Sequence, residues 1–310
     1  MNVLPFRRTA IRLGLACGSL LLITAAAPGA HAEEVNKSYT VSGRARVHVE
    51  TNDGSVTVTT SNSKQVEFRV DYLGYELNKD LRVDSRQNGD TVELTAKLTG
   101  HWGFSWGHSN RRLHIEVRMP KDADLVANTG DGAVQVDSLN GNIAVHTGDG
   151  SVKANGLAGQ IDLHTNDGSI SVDNLKGDIK LRTGDGSIEA RDLDGKVDAD
   201  SGDGRIRLVG RFDLLNVKTG DGSVETKVLP GSKMASSWTL RTGDGSVDLS
   251  LPSDFQSDID ASTGDGHISV GFQLSVEGNF SNSQIRGKMN GGGQPLTVHT
   301  GDGSIRLSKS

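Results

Sequence analysis

The sequence predicts an all-β chain: a single-stranded parallel β-solenoid (β-helix or β-roll-like) of about 18 residues per coil, with an antiparallel β cap subdomain near the N-terminus. Three observations lead there. A hexad, Thr147-Gly148-Asp149-Gly150-Ser151-Val152, recurs with small changes from Thr51, Thr129, Thr165, Thr183, Ser201, Thr219, Thr242, Thr263 and Thr300. Its step is constant at 18 residues between Thr129 and Thr219, then becomes 23, 21 and 37. Apolar and polar residues alternate on both sides of each hexad, which is strand periodicity, and past residue 32 no apolar pattern reaches helix length. An antiparallel meander of hairpins would explain the turns, but not why both strands of every repeat keep the same inward set at constant spacing.

Residues 1–32 read as a secretory signal peptide. Arg7, Arg8 and Arg12 precede an apolar run from Leu13 to Ala27, and Ala30-His31-Ala32 supplies the cleavage pattern. As a membrane anchor the run is short and broken by Pro28 and Gly29. Cys17, the only cysteine, lies inside the run and leaves with it, so the exported product has no thiol, disulfide or cysteine metal site. No second apolar run of membrane length occurs, so the mature protein has no transmembrane span. Removing three arginines and no acid makes a chain of net charge −6 more acidic still, which argues against nucleic acid as partner. Aromatics are 4% and glycines number 40, too few large rings for a wide core but enough aliphatics for a thin one.

Residues 33–128 form an N-terminal β segment. In 43–60, Val47, Val49, Val56 and Val58 alternate with polar residues around a hexad, as in a first coil. Residues 61–128 interrupt the repeat but stay β in pattern. Val66, Phe68 and Val70 alternate, as do Val92, Leu94 and Ala96, then Leu113, Ile115 and Val117. Gln87-Asn88-Gly89-Asp90 is a hairpin turn, and Met119-Pro120 ends the last strand. This is the cap, needed because an open terminal coil offers unpaired backbone to other chains.

Residues 129–310 form the solenoid. In the coil 147–164, Val152, Ala154, Leu157, Ile161 and Leu163 face inward, while Lys153, Asp162 and His164 face out. Two short strands per coil, near 151–154 and 160–165, are expected to pair in parallel with those of the next coil, about 4.8 Å away. Residues 229–310 are looser: Pro230, Pro252 and Pro295 mark longer connections, and the hexad at Thr300 reads as the terminal coil.

These features together resemble the DUF4097-type β-strand repeat proteins of bacteria, an adhesin-like family. The resemblance rests on the leader, the segment ending at Met119-Pro120, the repeat Leu-x-Gly-x-Ile-x-x-x-Thr-Gly-Asp-Gly-Ser-Ile at 175–188, and the closing Gly-Gly-x-x-Leu-x-x-x-Thr-x-x-Gly-x-Ile at 292–305. It implies an exported β-solenoid and no particular reaction.

The stacked hexads place Asp131, Asp149, Asp167, Asp185, Asp203 and Asp221 in one row. The row is either a calcium site, since hard cations take several oxygens, or turn chemistry. In the turn reading Asp caps its own backbone while glycines such as Gly148, Gly150, Gly184 and Gly186 take positive-φ positions. The hexad Thr sits at an inward phase, where its hydroxyl can satisfy turn backbone. His146 and His164 share one coil position and stack on the outer face, as a metal site or a solvated polar face. Trp102, Phe104 and Trp106 lie among glycines between two strands, with Arg111 and Arg112 beside them: a small core plug or a contact loop for an envelope glycan, lipid headgroup or protein.

The expected function is therefore an exported, non-enzymatic, adhesin-like or structural interaction protein of the bacterial cell envelope, located in the periplasm, on the surface or secreted. A calcium-binding secreted solenoid is the alternative, and a glycan lyase or hydrolase on a β-helix the second. No cofactor other than calcium is implied, and oligomeric state is left open.

Overall fold

The structure, a computed structural model, describes residues 32–99, 111–276 and 281–310. Residues 1–31, and with them most of the expected signal peptide, and Trp102, Phe104 and Trp106 lie outside the described residues.

The chain is all-β and solenoid-like. Strand β1 (Glu33–Thr40) leads into the first coil, β2 (Ala45–Thr51) and β3 (Ser55–Ser61), around the Thr51 hexad. The cap follows as β4 (Gln65–Leu73), β5 (Leu81–Asn88), β6 (Thr91–Leu98) and β7 (Arg112–Pro120). The regular coils each hold a strand that ends on the hexad Thr and a short strand that begins after the hexad. They are β8 (Ala123–Thr129) with β9 (Val134–Asp137), β10 (Asn140–Thr147) with β11 (Val152–Asn155), and β12 (Ala158–Thr165) with β13 (Ile170–Asp173). After β14 (Lys176–Thr183) the two strands between successive hexads merge, giving β15 (Ile188–Ser201) and β16 (Ile206–Thr219). The remainder is β17 (Val224–Val228), β18 (Trp238–Thr242), β19 (Val247–Leu251), β20 (Ser257–Thr263), β21 (Ile268–Val270), β22 (Ser275–Val276), β23 (Gln284–Met289), β24 (Pro295–Thr300) and β25 (Ile305–Lys309).

Two ladders run along the stack. In one, β2, β8, β10, β12, β14 and the later halves of β15 and β16 pair in parallel, each hexad Thr or Ser beside the next from Thr129 onward. In the other, β3, β9, β11, β13 and the earlier halves of β15 and β16 do the same. The 18-residue step becomes like-on-like register: Ile143 pairs with Ile161, and Ile161 with Ile179. These inward residues are buried, as are Val152, Ile170 and Ile188 on the facing ladder. Each such aliphatic side chain contributes roughly 1.5–3 kcal/mol on burial, so the stack is held by many small equal increments.

The sheet is mixed beyond the expected antiparallel cap, which corrects the expectation of parallel pairing throughout residues 129–310. In the cap β6 continues one ladder parallel to β2, and β7 continues the other parallel to β3. The chain then reverses: β5 pairs antiparallel with β6, β4 with β7, and β1 with β4. At the opposite end β23 runs antiparallel to β20 and β22. Of these pairs β5–β6 is a hairpin closed by a short turn, whereas β4 with β7, β1 with β4 and β20 with β23 pair across intervening strands, so that an antiparallel strand is laid along the edge of the stack at each end.

A second correction concerns the coil of Thr300. Strand β24 pairs with β18 on one side and β20 on the other, and β25 lies between β19 and β21. The Thr300 coil is thus inserted between those of Thr242 and Thr263, so it is an inner coil, not the terminal one. Where the regular step is lost, large rings fill the core. Phe212 and Trp238 meet edge-on at 6.1 Å, Phe255 lies 5.2 Å from Trp238, and the Trp238 indole donates to the Asp213 carbonyl at 3.3 Å. In the cap Tyr39 meets Phe68 edge-on at 6.2 Å, and its hydroxyl lies 2.6 Å from Ser85 Oγ.

Candidate functional site

The hexad turn is built by a hydroxyl ladder. Thr165 Oγ1 donates to the Gly150 carbonyl of the preceding coil at 2.9 Å and accepts the Gly168 N–H of its own coil at 3.1 Å. Thr147 repeats this with Gly132 and Gly150, and Thr183 with Gly168 and Gly186. Ser201 does so with Gly186 and Gly204, which shows that only the hydroxyl is required. These hydroxyls are buried and fully used within the fold.

The glycines have a different role from the one their sequence suggests. Gly148, Gly150, Gly184 and Gly186 do not have positive φ. They are glycine because coils approach closely there. A Cβ on Gly150 would lie 2.0 Å from the Gly132 carbonyl oxygen, and one on Gly186 would lie 2.0 Å from that of Gly168. At Gly148 and Gly184 the corresponding distances are 2.7 and 2.5 Å, to Gly130 and Asn166. Positive φ belongs instead to the other turn, at Ser138, Gly156, Asn174 and Asp192.

Asp131, Asp149, Asp167, Asp185, Asp203 and Asp221 are exposed in one row, as the repeat predicts. Their carboxylates accept no hydrogen bond from their own turns among the described residues, so self-capping is corrected. They lean instead toward the next coil: Asp203 Oδ1 is 3.2 Å from the position a Gly220 Cβ would take. Among the described residues no three His, Cys, Asp or Glu converge where an ion could sit. Arg111 lies with its guanidinium 5.4 Å above the Tyr75 ring, and Arg112 is exposed in β7 opposite Leu73. Arg111 is thereby placed against the cap, while the aromatic residues once grouped with it fall outside the described residues.

A concave surface occurs elsewhere, on the outer side of the short strands. A groove of about 310 Å³ crosses four coils, from β9 to the start of β15. One wall carries Gln135, Lys153, Ser171 and Glu189; the other carries Asp137, Asn155, Asp173 and Arg191. Ala154 and Val172 form an almost covered floor. The ends are internally paired: Gln135 Nε2 donates to Asp137 Oδ2 at 2.8 Å, and Arg191 pairs with Glu189. The middle is not. The side chains of Lys153, Asn155, Ser171 and Asp173 are exposed and make no hydrogen bond or ion pair among the described residues. One cation, one carboxylate, one amide and one hydroxyl are thus available to a ligand over two coils. Sequence reading placed Lys153 outward, gave Asn155 as a turn residue, and named neither Ser171 nor Asp173. The signal was there, as the outward positions of four short strands taken at 18-residue steps.

The family follows from the sequence match. The family model described as Toastrack DUF4097 matches residues 44–308. The chain belongs to the Toastrack family. The Toastrack match spans both the cap and the coils, so the irregular ends are part of the family unit. Among curated proteins no sequence matches this Toastrack chain. Three solved structures are similar to it over most of its length. A "putative adhesin" from Parabacteroides merdae shares 12% identity, covering 89% of this chain and 96% of its own, at a TM-score of 0.44. A "putative lipid binding protein" from Parabacteroides distasonis shares 12%, covering 88% and 96%, at 0.40. A "putative cell adhesion protein" from Clostridium sporogenes shares 13%, covering 90% and 100%, at 0.27. Likeness at this level says nothing of what this Toastrack chain binds.

Proposed function

We propose that this is an exported, non-enzymatic, adhesin-like interaction protein of the bacterial cell envelope, and that the groove over β9, β11, β13 and β15 is its contact face. The observation that carries the reading is the division of polar groups. The hexad hydroxyls are consumed by the fold, whereas Lys153, Asn155, Ser171 and Asp173 stand unpaired in a concave surface. A polar groove on a rigid ladder is preorganised, so a ligand loses little by being held there. The leader-like residues 1–32 support export.

The test is cosedimentation of the purified protein with isolated cell-wall glycan, with vesicles of anionic envelope lipid, and with envelope protein. Binding to one of them is expected, with a marked loss in the paired charge exchange Lys153→Asp and Asp173→Lys. Binding that survives the exchange would move the contact face elsewhere. No binding to any envelope fraction would remove the reading.

A further inference from the structure

Around the solenoid from the groove, the outer face of the other ladder carries a pair that the proposed contact does not use. His146 and His164 stand in register on the adjacent parallel strands β10 and β12. Their ring centroids are 5.7 Å apart, with 54° between the planes. Neither ring makes a hydrogen bond or ion pair among the described residues. His146 is exposed and His164 half-buried, so both are open to solvent.

The neighbours isolate the pair. Asn128, in register with His146 on β8, is taken up by His48 at 3.3 Å between Nδ2 and Nε2. Arg182, in register with His164 on β14, leans to Asp198 at 3.6 Å, which offsets part of its charge. Two residues before each histidine on the same face stand Ala144 and Asp162, in register with each other. Ala144 is too small to fill the space beside the rings. Asp162 is not ion-paired among the described residues, although Lys180 stands next to it on β14.

Two imidazoles on one ion, each with a metal–nitrogen distance of about 2.0–2.1 Å, bring their ring centroids to roughly 5 Å. A small side-chain rotation closes the gap from 5.7 Å. The backbone need not move, because each strand is held in the ladder on both sides.

We propose that His146 and His164 form a two-imidazole chelate for a borderline divalent transition ion: copper(II), zinc(II) or nickel(II). Water fills the other positions, since no third protein ligand converges among the described residues. Nitrogen donors select these ions over calcium and magnesium, which take oxygen, and copper binds most tightly. The site does not depend on the groove, and either can fail without the other.

The experiment is calorimetric titration of the purified full-length protein with copper(II) and with zinc(II), paired with the electron paramagnetic resonance spectrum of the copper form. One site with two nitrogen ligands is expected. His146→Ala and His164→Ala should each weaken it about a hundredfold, because the second donor is held at high effective concentration. Both positions are accessible, so the metal-free melting temperature should stay unchanged. Arg182→His, which extends the row by one imidazole, should tighten binding. His48→Ala and His299→Ala, the latter on β24 with its Nδ1 3.0 Å from Ser262 Oγ, should leave it alone. Copper binding that persists in the double variant His146→Ala/His164→Ala, or a failure to bind copper at all, would overturn the proposal.

Discussion

The coils of Thr147 and Thr165 and the coils beyond Thr219 solve the same packing problem by different means. In the first region each inward aliphatic meets another aliphatic 18 positions away, and no large ring is needed. In the second the step varies although the hexads stay in register, Thr219 beside Thr242 and Thr300 beside Thr263, and Trp238 and Phe255, with Phe212 from the coil before, fill the core beside the longer connections. Repetition makes small side chains adequate, and loss of repetition calls for large ones. The hydroxyl device of the turns continues at Thr242, Thr263 and Thr300, but the looser end also leaves the side-chain hydroxyls of Thr226 and Ser257 buried without a partner among the described residues.

Substitutions can break this contrast. Trp238→Ala should have the largest effect, about 4 kcal/mol in denaturant unfolding, because no neighbouring coil can supply the lost volume. Ile161→Val in the array should cost only about 1 kcal/mol.

Glycine sharpens the comparison. Gly168→Ala sets a methyl 2.0 Å from the Gly150 carbonyl and should cost about 3 kcal/mol, since a backbone ladder must shift. Gly89→Ala, in the β5–β6 hairpin, has open space around it but a φ of 59°, and should cost about 1 kcal/mol. Thr165→Val removes a buried hydroxyl that meets the Gly148 and Gly150 carbonyls and the Gly168 N–H and should cost about 2 kcal/mol, whereas Thr165→Ser should be nearly silent.

Acid separates the ends from the middle. The backbone N–H groups of Gly43 and Ser42 hold the Asp90 carboxyl below its usual range. For Asp124, burial alone would raise the value, but the Asn142 N–H and Arg44 bring it below the usual range. Depressed carboxyls stabilise the fold fully above their unfolded value of 3.8, and that contribution is lost as pH falls through the folded values. Hydrogen exchange at low pH should therefore rise in β5 and β6, and where Asn142 of β10 meets Asp124, before it rises in β12 and β14, and Asp90→Asn should flatten the acid limb. In base the sign reverses. Burial and a hydrogen bond to Glu33 push Tyr72 up to about 12, so its contribution is present below pH 10 and fades as pH rises through about 12.

The smallest effect belongs to the aspartate row. Asp167→Asn removes one of a file of like charges and should stabilise by about 0.5 kcal/mol at low salt, with no difference at high salt.

The coil was legible because its cause is local and periodic. A hexad every 18 residues, with fixed inward positions, leaves one register that buries Ile143, Ile161 and Ile179 together. The inserted Thr300 coil was not legible, because its partners are chosen by pairing between distant segments and its hexad looks like any other. Nor was the purpose of the hexad glycines. A glycine needed for close approach and one needed for positive φ read alike in sequence, and only the 2.0 Å that would separate a Cβ on Gly150 from the Gly132 carbonyl oxygen tells them apart. The groove was half legible: its residues lie at known outward phases, but concavity is a property of four coils at once.

The placement of β24 and β25 also bears on assembly in time. The regular coils can add one after another as the chain emerges, each on a finished predecessor. The coils of Thr242 and Thr263 cannot meet, because the strands that join them belong to residues 295–309. A chain delivered N-terminus first, by a ribosome or through a membrane pore, therefore holds that end open until its last strands arrive. The Thr263 segment must wait with unpaired edges, a window for chaperones, proteases or misassembly that the middle of the stack never presents.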